Sequence, residues 1–472
     1  MKAIVIGSGL SGLSAAIILA RNGVDTTILE RNSFYGGYAH CFIEKGYRFE
    51  TSLHNISPGI FGSFSSLGIA NDVKLLPIKS TSVVICKKEC KTTSFDYTVD
   101  SFKAYLKQKY PGESLNMDRF FDYVVNLSPF LTEFASNKGF KQFVIAVKKI
   151  DKLIETGRNI IKSTAKDVLD RFFVDETIKD EIFNQVLYFG TGKSDFAAAI
   201  FSVAAPLFFI KGTSYIKGGS QRLVDAMVKK FHSNGGKIEY NCQVNRIHIA
   251  NNRVESITTN DGKQRTCDVV LYCADLLHLL KNVVDAKIIK DQPSVFQRAI
   301  VPPLLAFYIG LNENVKKKGF INYAYGITFG KNNDQLDMTI SSNIDPTAAP
   351  TNKTNILVSY FSNKQYDINT MQKFTIKSIS TVLGMTKDDF VHKIDVMRYL
   401  SPRDFEMMTL NQQGSFGGFQ YSNYNAIQHP ISYKTLVKNL FLAGQWVGVG
   451  AGFENTIVGG INAAKLALSI MK

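Results

Sequence analysis

Met1-Lys2-Ala3-Ile4-Val5-Ile6-Gly7-Ser8-Gly9-Leu10-Ser11-Gly12 opens the chain, an apolar helix-like stretch follows, and Asp25-Thr26-Thr27-Ile28-Leu29-Glu30 ends the segment. An apolar strand running into three glycines at this spacing, then a helix, then a second strand closed by an acid, is the dinucleotide-binding βαβ fingerprint. Gly7 permits the tight turn out of the first strand, Gly9 lets backbone amides approach a pyrophosphate, and Gly12 lets the helix pack closely on the strand. Phosphates would then sit at a helix N-terminus, where free N–H groups and the macrodipole favour an anion. Glu30 stands where an acid accepts hydrogen bonds from a ribose 2′-hydroxyl, which favours an unphosphorylated adenosine ribose. A lysine before an apolar run also has the look of a secretory signal. Glycines and serines interrupt this run, no small-residue cleavage site follows, and the segment continues into a strand, so no export is expected.

At 472 residues the chain is too long for one small core, and at least two domains are expected. Hydrophobic residues at 45% and charged ones at 20% fit a soluble globular chain rather than a disordered or multi-span one. A formal charge of +15 attracts anionic lipid, nucleic acid or acidic substrates. No nucleic-acid-binding signature accompanies it, so nucleic acid is not expected. Lys138, Lys141, Lys148, Lys149, Lys152, Arg158, Lys162 and Lys166 share one stretch with apolar residues at helical spacing. Such a helix lies in a membrane interface or shows solvent a basic face. The six cysteines form no CxxC pair and meet no histidine in a metal pattern, so they read as scattered thiols in a reducing, cytoplasmic compartment with no metal site. The longest apolar run, Phe196 to Ile210, is interrupted by Pro206 and falls short of a membrane span. It suits a buried helix, a lipid-dipping element or a channel wall.

Past Glu30, Gly36-Gly37 lets main chain approach a dinucleotide from a second side, and a hairpin from Tyr38 to Thr51 turns at Lys45-Gly46. From about Leu75 to Thr213 the texture changes to strands and then Phe-, Lys- and Leu-rich helices. Nucleotide-domain texture returns at Gly218-Gly219-Ser220, with a hairpin turned at Asn251-Asn252 and a buried strand ending at Asp275. A strand-rich stretch from about Gln297 to Phe405 precedes the last return, Asn439 to Trp446, a glycine loop and a closing helix. The expected architecture is α/β, with a discontinuous Rossmann-like dinucleotide-binding domain (1–74, 214–290 and 410–472). An α+β substrate domain (75–213 and 291–409) is inserted into it.

This layout resembles the FAD-dependent amine oxidase and phytoene desaturase superfamily, whose FAD-binding domain is of the GR2 type. Gly36-Gly37, His40, Gly46, Phe49-Glu50-Thr51 and His54 are similar to a block of retinol saturases and carotenoid isomerases, with Glu50 for the usual Asp and Ser52 for Gly. Gly218-Gly219-Ser220-Gln221 through Leu223, Val269 to Asp275, and Asn439 to Ala464 are similar to further segments of that family. The resemblance implies that Gly7, Gly9, Gly12, Glu30, Gly36 and Gly37 hold the ADP half of FAD, with Leu10, Ser11, Arg31 and Tyr38 beside them. Val244 would reach adenine, and Gly444 and Gln445 the ribityl and pyrophosphate. The loop carrying Gly452, Phe453, Asn455 and Thr456 would bring a helix N-terminus toward the isoalloxazine, where its dipole stabilises negative charge on the reduced ring.

The activity so implied is desaturation, saturation or cis/trans isomerisation at carbon–carbon bonds of an apolar isoprenoid polyene. NAD(P)H or a quinone would be the redox partner, and the basic charge suggests peripheral membrane association. His54, Arg403 and Glu454 are the candidates for an acid or base. No Ser/His/Asp or Cys/His arrangement points to a hydrolase. An FAD-dependent amine oxidase is the alternative. A non-catalytic relative of the GDP-dissociation inhibitors shares the architecture, but the glycine pair and the C-terminal flavin segment argue against it.

Overall fold

The computed structural model describes residues 1–52, 55–86, 89–136, 160–290, 292–329, 334–361, 367–448 and 450–471. Five strands lie side by side and parallel, in the order Leu440–Leu442, Val269–Tyr272, Lys2–Ile6, Asp25–Leu29, Lys237–Glu239. Most of their residues are buried, as expected of a parallel sheet covered on both faces. Val5, Ile28, Leu271 and Phe441 point into a core shared with the helices Leu10–Arg21, Ser220–Ser233 and Phe453–Ile470. Ile4, Ile6, Val270, Leu440 and Leu442 point the other way, onto Val244, Ile247, Leu276 and Leu280. Three remote pieces of chain therefore meet in one sheet. On its second face the strands Val244–Ala250 and Arg253–Thr259 form a hairpin. Its turn residues Asn251 and Asn252 both have positive φ, the geometry that asparagine tolerates in tight hairpins.

A second sheet of seven strands runs in the order Ile394–Leu400, Leu304–Leu311, Thr354–Phe361, Asp334–Thr339, Ala324–Phe329, Ser80–Cys86, Cys90–Asp96. All neighbours are antiparallel except Ala324–Phe329 with Ser80–Cys86. Against this sheet sits an aromatic-rich helical cluster that includes Phe102, Phe120, Phe173, Phe183 and Phe201. The apolar run from Phe196 forms the helix Ala198–Lys211, which continues through Pro206, and its Ala198, Phe201 and Ala204 are buried in that cluster. Among the described residues no helix is long and apolar enough to cross a membrane.

The expectation of six free thiols is corrected at one place. Cys86 and Cys90 are joined by a disulfide, their Cα atoms 4.0 Å apart, because they are the facing pair at the end of the antiparallel hairpin. Cys41, Cys242, Cys267 and Cys273 are free. Of the basic stretch, Lys138, Lys141, Lys148, Lys149, Lys152 and Arg158 lie outside the described residues. Lys166 pairs with Asp170 on the helix Ala165–Asp170.

Candidate functional site

The first strand leaves the parallel sheet through Gly7, whose φ of +97° turns the chain back over the sheet edge. Gly9 then caps the first helix without supplying a side-chain acceptor, so its opening amides face outward. A Cβ on Gly12 would stand 1.9 Å from the Gly7 carbonyl oxygen, and the helix can rest on this turn only because residue 12 has no side chain. A Cβ on Gly9, in contrast, would meet nothing within 4 Å. That space is the floor of a cavity.

Gly36 bridges to Gly9, its amide donating to the Ser8 carbonyl at 3.1 Å, and a Cβ on Gly37 would lie 3.5 Å from Gly9 Cα. The glycine pair thus closes over the glycine turn from the opposite side. Glu30, 7% exposed, accepts from the Ser8 amide at 2.9 Å and the Ser8 hydroxyl at 2.5 Å, and from the Asn32 amide at 2.8 Å. These bonds hold its carboxylate at the cavity edge. Beside it the Cys242 amide donates to the Glu30 carbonyl at 2.8 Å, which brings Val244 to the same rim.

From the last strand, Ala443 donates to the Tyr272 carbonyl, and a Cβ on Gly444 would approach Ser11 Oγ at 3.4 Å. Gln445 follows. Its Nε2 is buried and has no hydrogen-bond acceptor among the described residues, although the residue lines the cavity. Gly452 caps the closing helix, again without a side-chain acceptor.

One continuous cavity of about 1110 Å³ joins these parts. Gly7, Gly9, Leu10 and Ser11 line it with Glu30 and Arg31, then Gly36, Gly37 and Tyr38, then Val244, Gly444 and Gln445, and finally Gly452, Phe453 and Thr456. Gly12 lies beneath this surface, and Asn455 donates to the Ala451 carbonyl outside the lining. Arg403 is exposed in the first turn of the helix Pro402–Thr409 and is not in the lining, and the Glu454 carboxylate instead faces Gly59. His54 lies outside the described residues.

Several further lining residues, Asp275, Asn411, Trp446 and Tyr421 among them, carry no role that the sequence assigns. Asp275, at the end of Val269–Tyr272, caps the next turn by accepting from the His278 amide, and the Gln412 amide also reaches it at 3.4 Å. Burial pushes its pKa up to about 7, and the backbone donors offset part of that effect. Trp446 Nε1 donates to Asn411 Oδ1 at 3.1 Å, and Asn411 Nδ2 reaches the Tyr38 hydroxyl at 3.3 Å. Beyond the closing loop the wall is aromatic. Tyr421 donates to the Ala451 carbonyl at 3.1 Å and packs edge-on to Phe189, with Tyr188 next to it. The seven-stranded sheet supplies the opposite wall through Thr81, Val83, Gly326, Asp337 and Thr339. The cavity also reaches a charged cluster in which Lys109 meets Glu181 at 2.7 Å and Lys193 meets Glu176 at 2.6 Å.

A glycine cradle set on a parallel sheet, opening into a chamber with an aromatic wall, suits a dinucleotide cofactor beside a largely apolar ligand. The chain belongs to the flavin containing amine oxidoreductase family, whose model matches residues 10–468, and its cofactor is FAD. It is 24% identical over 483 residues to a 1-hydroxycarotenoid 3,4-desaturase of Flavobacterium sp. (strain P99-3), covering 96% of each chain. It is 26% identical over 325 residues to a lycopene-forming phytoene desaturase of Pseudescherichia vulneris, covering 66% of this chain and 64% of that protein, just under two thirds of its length. The solved structure of wild-type putrescine oxidase bound to putrescine matches with a TM-score of 0.71 at 13% identity, covering 99% of both chains, and shares the fold.

Proposed function

We propose that residues 1–74, 214–290 and 410–472 form one Rossmann-like, GR2-type domain that holds FAD, and that 75–213 and 291–409 form the inserted substrate domain. The first set supplies all five parallel strands, and the second supplies all seven strands of the other sheet. The cradle suits the cofactor on three counts. Gly9 leaves the helix N-terminus open to a pyrophosphate, Glu30 presents a fixed acceptor to a ribose hydroxyl, and Gln445 Nε2 has no acceptor among the described residues, which a ligand can provide. In this reading Gly7, Gly9, Leu10, Ser11, Gly12, Glu30, Arg31, Gly36, Gly37, Tyr38 and Val244 serve the ADP half. Gly444, Gln445, Gly452, Phe453, Asn455 and Thr456 serve the flavin half.

The reaction we propose is hydrogen transfer at carbon–carbon bonds of an apolar polyene, in the direction of desaturation, saturation or isomerisation. Bound FAD supplies the acceptor or donor of the hydrogen. The chain's own part is to bind, orient and keep water away. The observation that carries the reading is that one cavity runs from the glycine cradle to a wall built by Tyr97, Tyr188, Phe189 and Tyr421. Such a wall desolvates an extended apolar chain. The carotenoid-desaturating relatives add weight to this substrate class. The net charge of +15 supports delivery from an anionic membrane surface.

Anaerobic absorbance spectroscopy of the yellow protein tests the reading. Bleaching by lycopene or a less desaturated C40 polyene is the result for a desaturase. Bleaching by NAD(P)H followed by recolouring with polyene is the result for a saturase, and bleaching by NAD(P)H with isomerised polyene and no recolouring is the result for an isomerase. Hydrogen peroxide release with amines, and no response to polyenes, would establish an amine oxidase instead.

A further inference from the structure

Six carboxyl side chains line the cavity: Glu30, Glu176, Asp180, Glu181, Asp275 and Asp337. Five have partners. Ser8 and Asn32 hold Glu30, backbone amides hold Asp275, and Lys193, Lys109 and Tyr110 pair with Glu176, Asp180 and Glu181. Among the described residues nothing donates a hydrogen bond to Asp337 and no cation pairs with it. Its neighbours on the sheet are Gly326 on one side and Ser359 on the other. A Cβ on Gly326 would meet nothing within 4 Å, so the space beside the carboxyl is open. Among the described residues the buried Ser359 hydroxyl also has no partner.

Two other nearby hydroxyls are already engaged. Thr81 donates to the Ala324 carbonyl at 3.2 Å, and Thr339 bonds to Tyr323. Along the strand, Leu336 and Met338 point into the core behind the sheet, so Asp337 sits on the face turned to the cavity. Taking a carboxyl out of bulk water without a partner is costly, and a hydrophobic residue of similar size would be favoured at this place on stability alone. The row Ala451, Tyr421, Tyr188, Tyr97 connects the closing loop to this point. Tyr421 bonds to Ala451, Tyr188 lies within electrostatic reach of Tyr421 and Tyr97, and Tyr97 within reach of Asp337.

We propose that Asp337 is an end-group anchor: its carboxyl accepts a hydrogen bond from a hydroxyl on the polyene, so this protein takes a hydroxylated polyene in preference to the bare hydrocarbon. The proposal rests on the polyene reading above. Burial pushes the Asp337 pKa up to about 6, and a hydroxyl can donate to the carboxyl in either protonation state. A cavity whose wall presents an unpaired polar group disfavours the analogue that leaves this group unpaired.

The test compares lycopene with the same C40 chain carrying one terminal hydroxyl, using the FAD-loaded protein. Two readouts are taken, kcat/KM and equilibrium titration of the bound polyene's absorbance. Wild type should prefer the hydroxylated chain by about tenfold or more, the scale of a single buried hydrogen bond. Asp337→Asn, which keeps an acceptor of the same shape, should retain most of that preference. Asp337→Leu should bring the ratio near one while retaining its flavin and melting no lower than wild type. Equal handling of the two chains by wild type, an unchanged ratio in Asp337→Leu, or failure of that variant to fold would each overturn the anchor role. Turnover of amines with no response to either polyene would sink the substrate reading itself, and the anchor with it.

Discussion

Adjacent glycines in the closing helix have opposite surroundings, and this sets a sharp test of how that helix is seated. A Cβ on Gly460 would stand 2.1 Å from the Ser11 carbonyl oxygen and 2.2 Å from Ser14 Oγ, whereas one on Gly459 would only touch the Tyr433 ring at 3.5 Å. Gly460→Ala must therefore push the closing helix off the first helix by about an ångström, and overpacking of this kind costs ~1–3 kcal/mol. The displacement also breaks the bond from Ser14 Oγ to the Ile457 carbonyl at 3.0 Å, a further loss of about 1 kcal/mol. Alanine recovers only ~0.5–1 kcal/mol over glycine in a helix interior. Gly459→Ala enjoys that gain without the clash. The two variants should therefore differ by roughly 2–4 kcal/mol, or roughly 5–15 °C in Tm for a unit of about 200 residues. Thermal release of flavin fluorescence reads the difference, because the first helix carries the amides assigned to the pyrophosphate. Equal melting of the two variants, or Gly459→Ala melting lower, would refute the seating.

Glu30→Ala removes a fixed, buried acceptor and should weaken FAD binding by about 10- to 100-fold, the scale of a hydrogen bond to a charged group. Dialysis against free flavin and titration of the apoprotein measure it, and an unchanged Kd would remove the ribose role. Asp275 carries a pKa pushed up to about 7 in the folded chain, against about 3.9 when unfolded, so folding binds a proton between these values. Its contribution to stability is therefore most favourable below pH 4, declines as pH rises toward 7, and leaves a deficit of roughly 4 kcal/mol above that. Asp275→Asn should gain on wild type across that window in denaturant unfolding of the apoproteins; parallel pH profiles would contradict the burial argument. Flotation with anionic vesicles should be strong at low salt, and lost at about 1 M salt, where the Debye length falls to ~3 Å. Replacement of Lys148, Lys149 and Lys152 by Gln should also abolish it. Flotation that resists both would remove the electrostatic basis for membrane association.

The end of the cavity that we propose takes the nucleotide is legible in sequence because it is made of backbone. Where main chain must come within van der Waals distance of main chain, as Gly12 does over Gly7 and Gly460 over Ser11, only glycine fits, and its spacing carries the geometry. Gly36 and Gly444, both with positive φ, belong to the same class. Glu50 is a subtler case. In place of the usual aspartate, its carboxylate accepts from the Tyr215 hydroxyl at 2.5 Å and the Cys41 thiol at 3.1 Å, and from Ser220. It thereby ties together segments from two of the pieces that build the parallel sheet.

The substrate end is not legible in that way, and the strand Asp334–Thr339 shows why. Its alternation of polar and apolar residues states that one face is buried and the other is wet. It does not say whether the wet face meets bulk solvent or an internal chamber. Only the crossing of this sheet by the aromatic cluster of 95–205 encloses Asp337, and that crossing is set by contacts hundreds of residues apart in the chain. Cys86 and Cys90 were hidden for a related reason, since the spacing alone does not reveal that a hairpin places them face to face. Residues that bind by backbone shape leave a periodic trace, whereas those that bind by standing unpaired in an enclosed space become visible only when the enclosure exists. Asp337 is of the second kind, which makes the hydroxylated and bare polyenes a more searching pair of probes for this protein than any comparison of glycines.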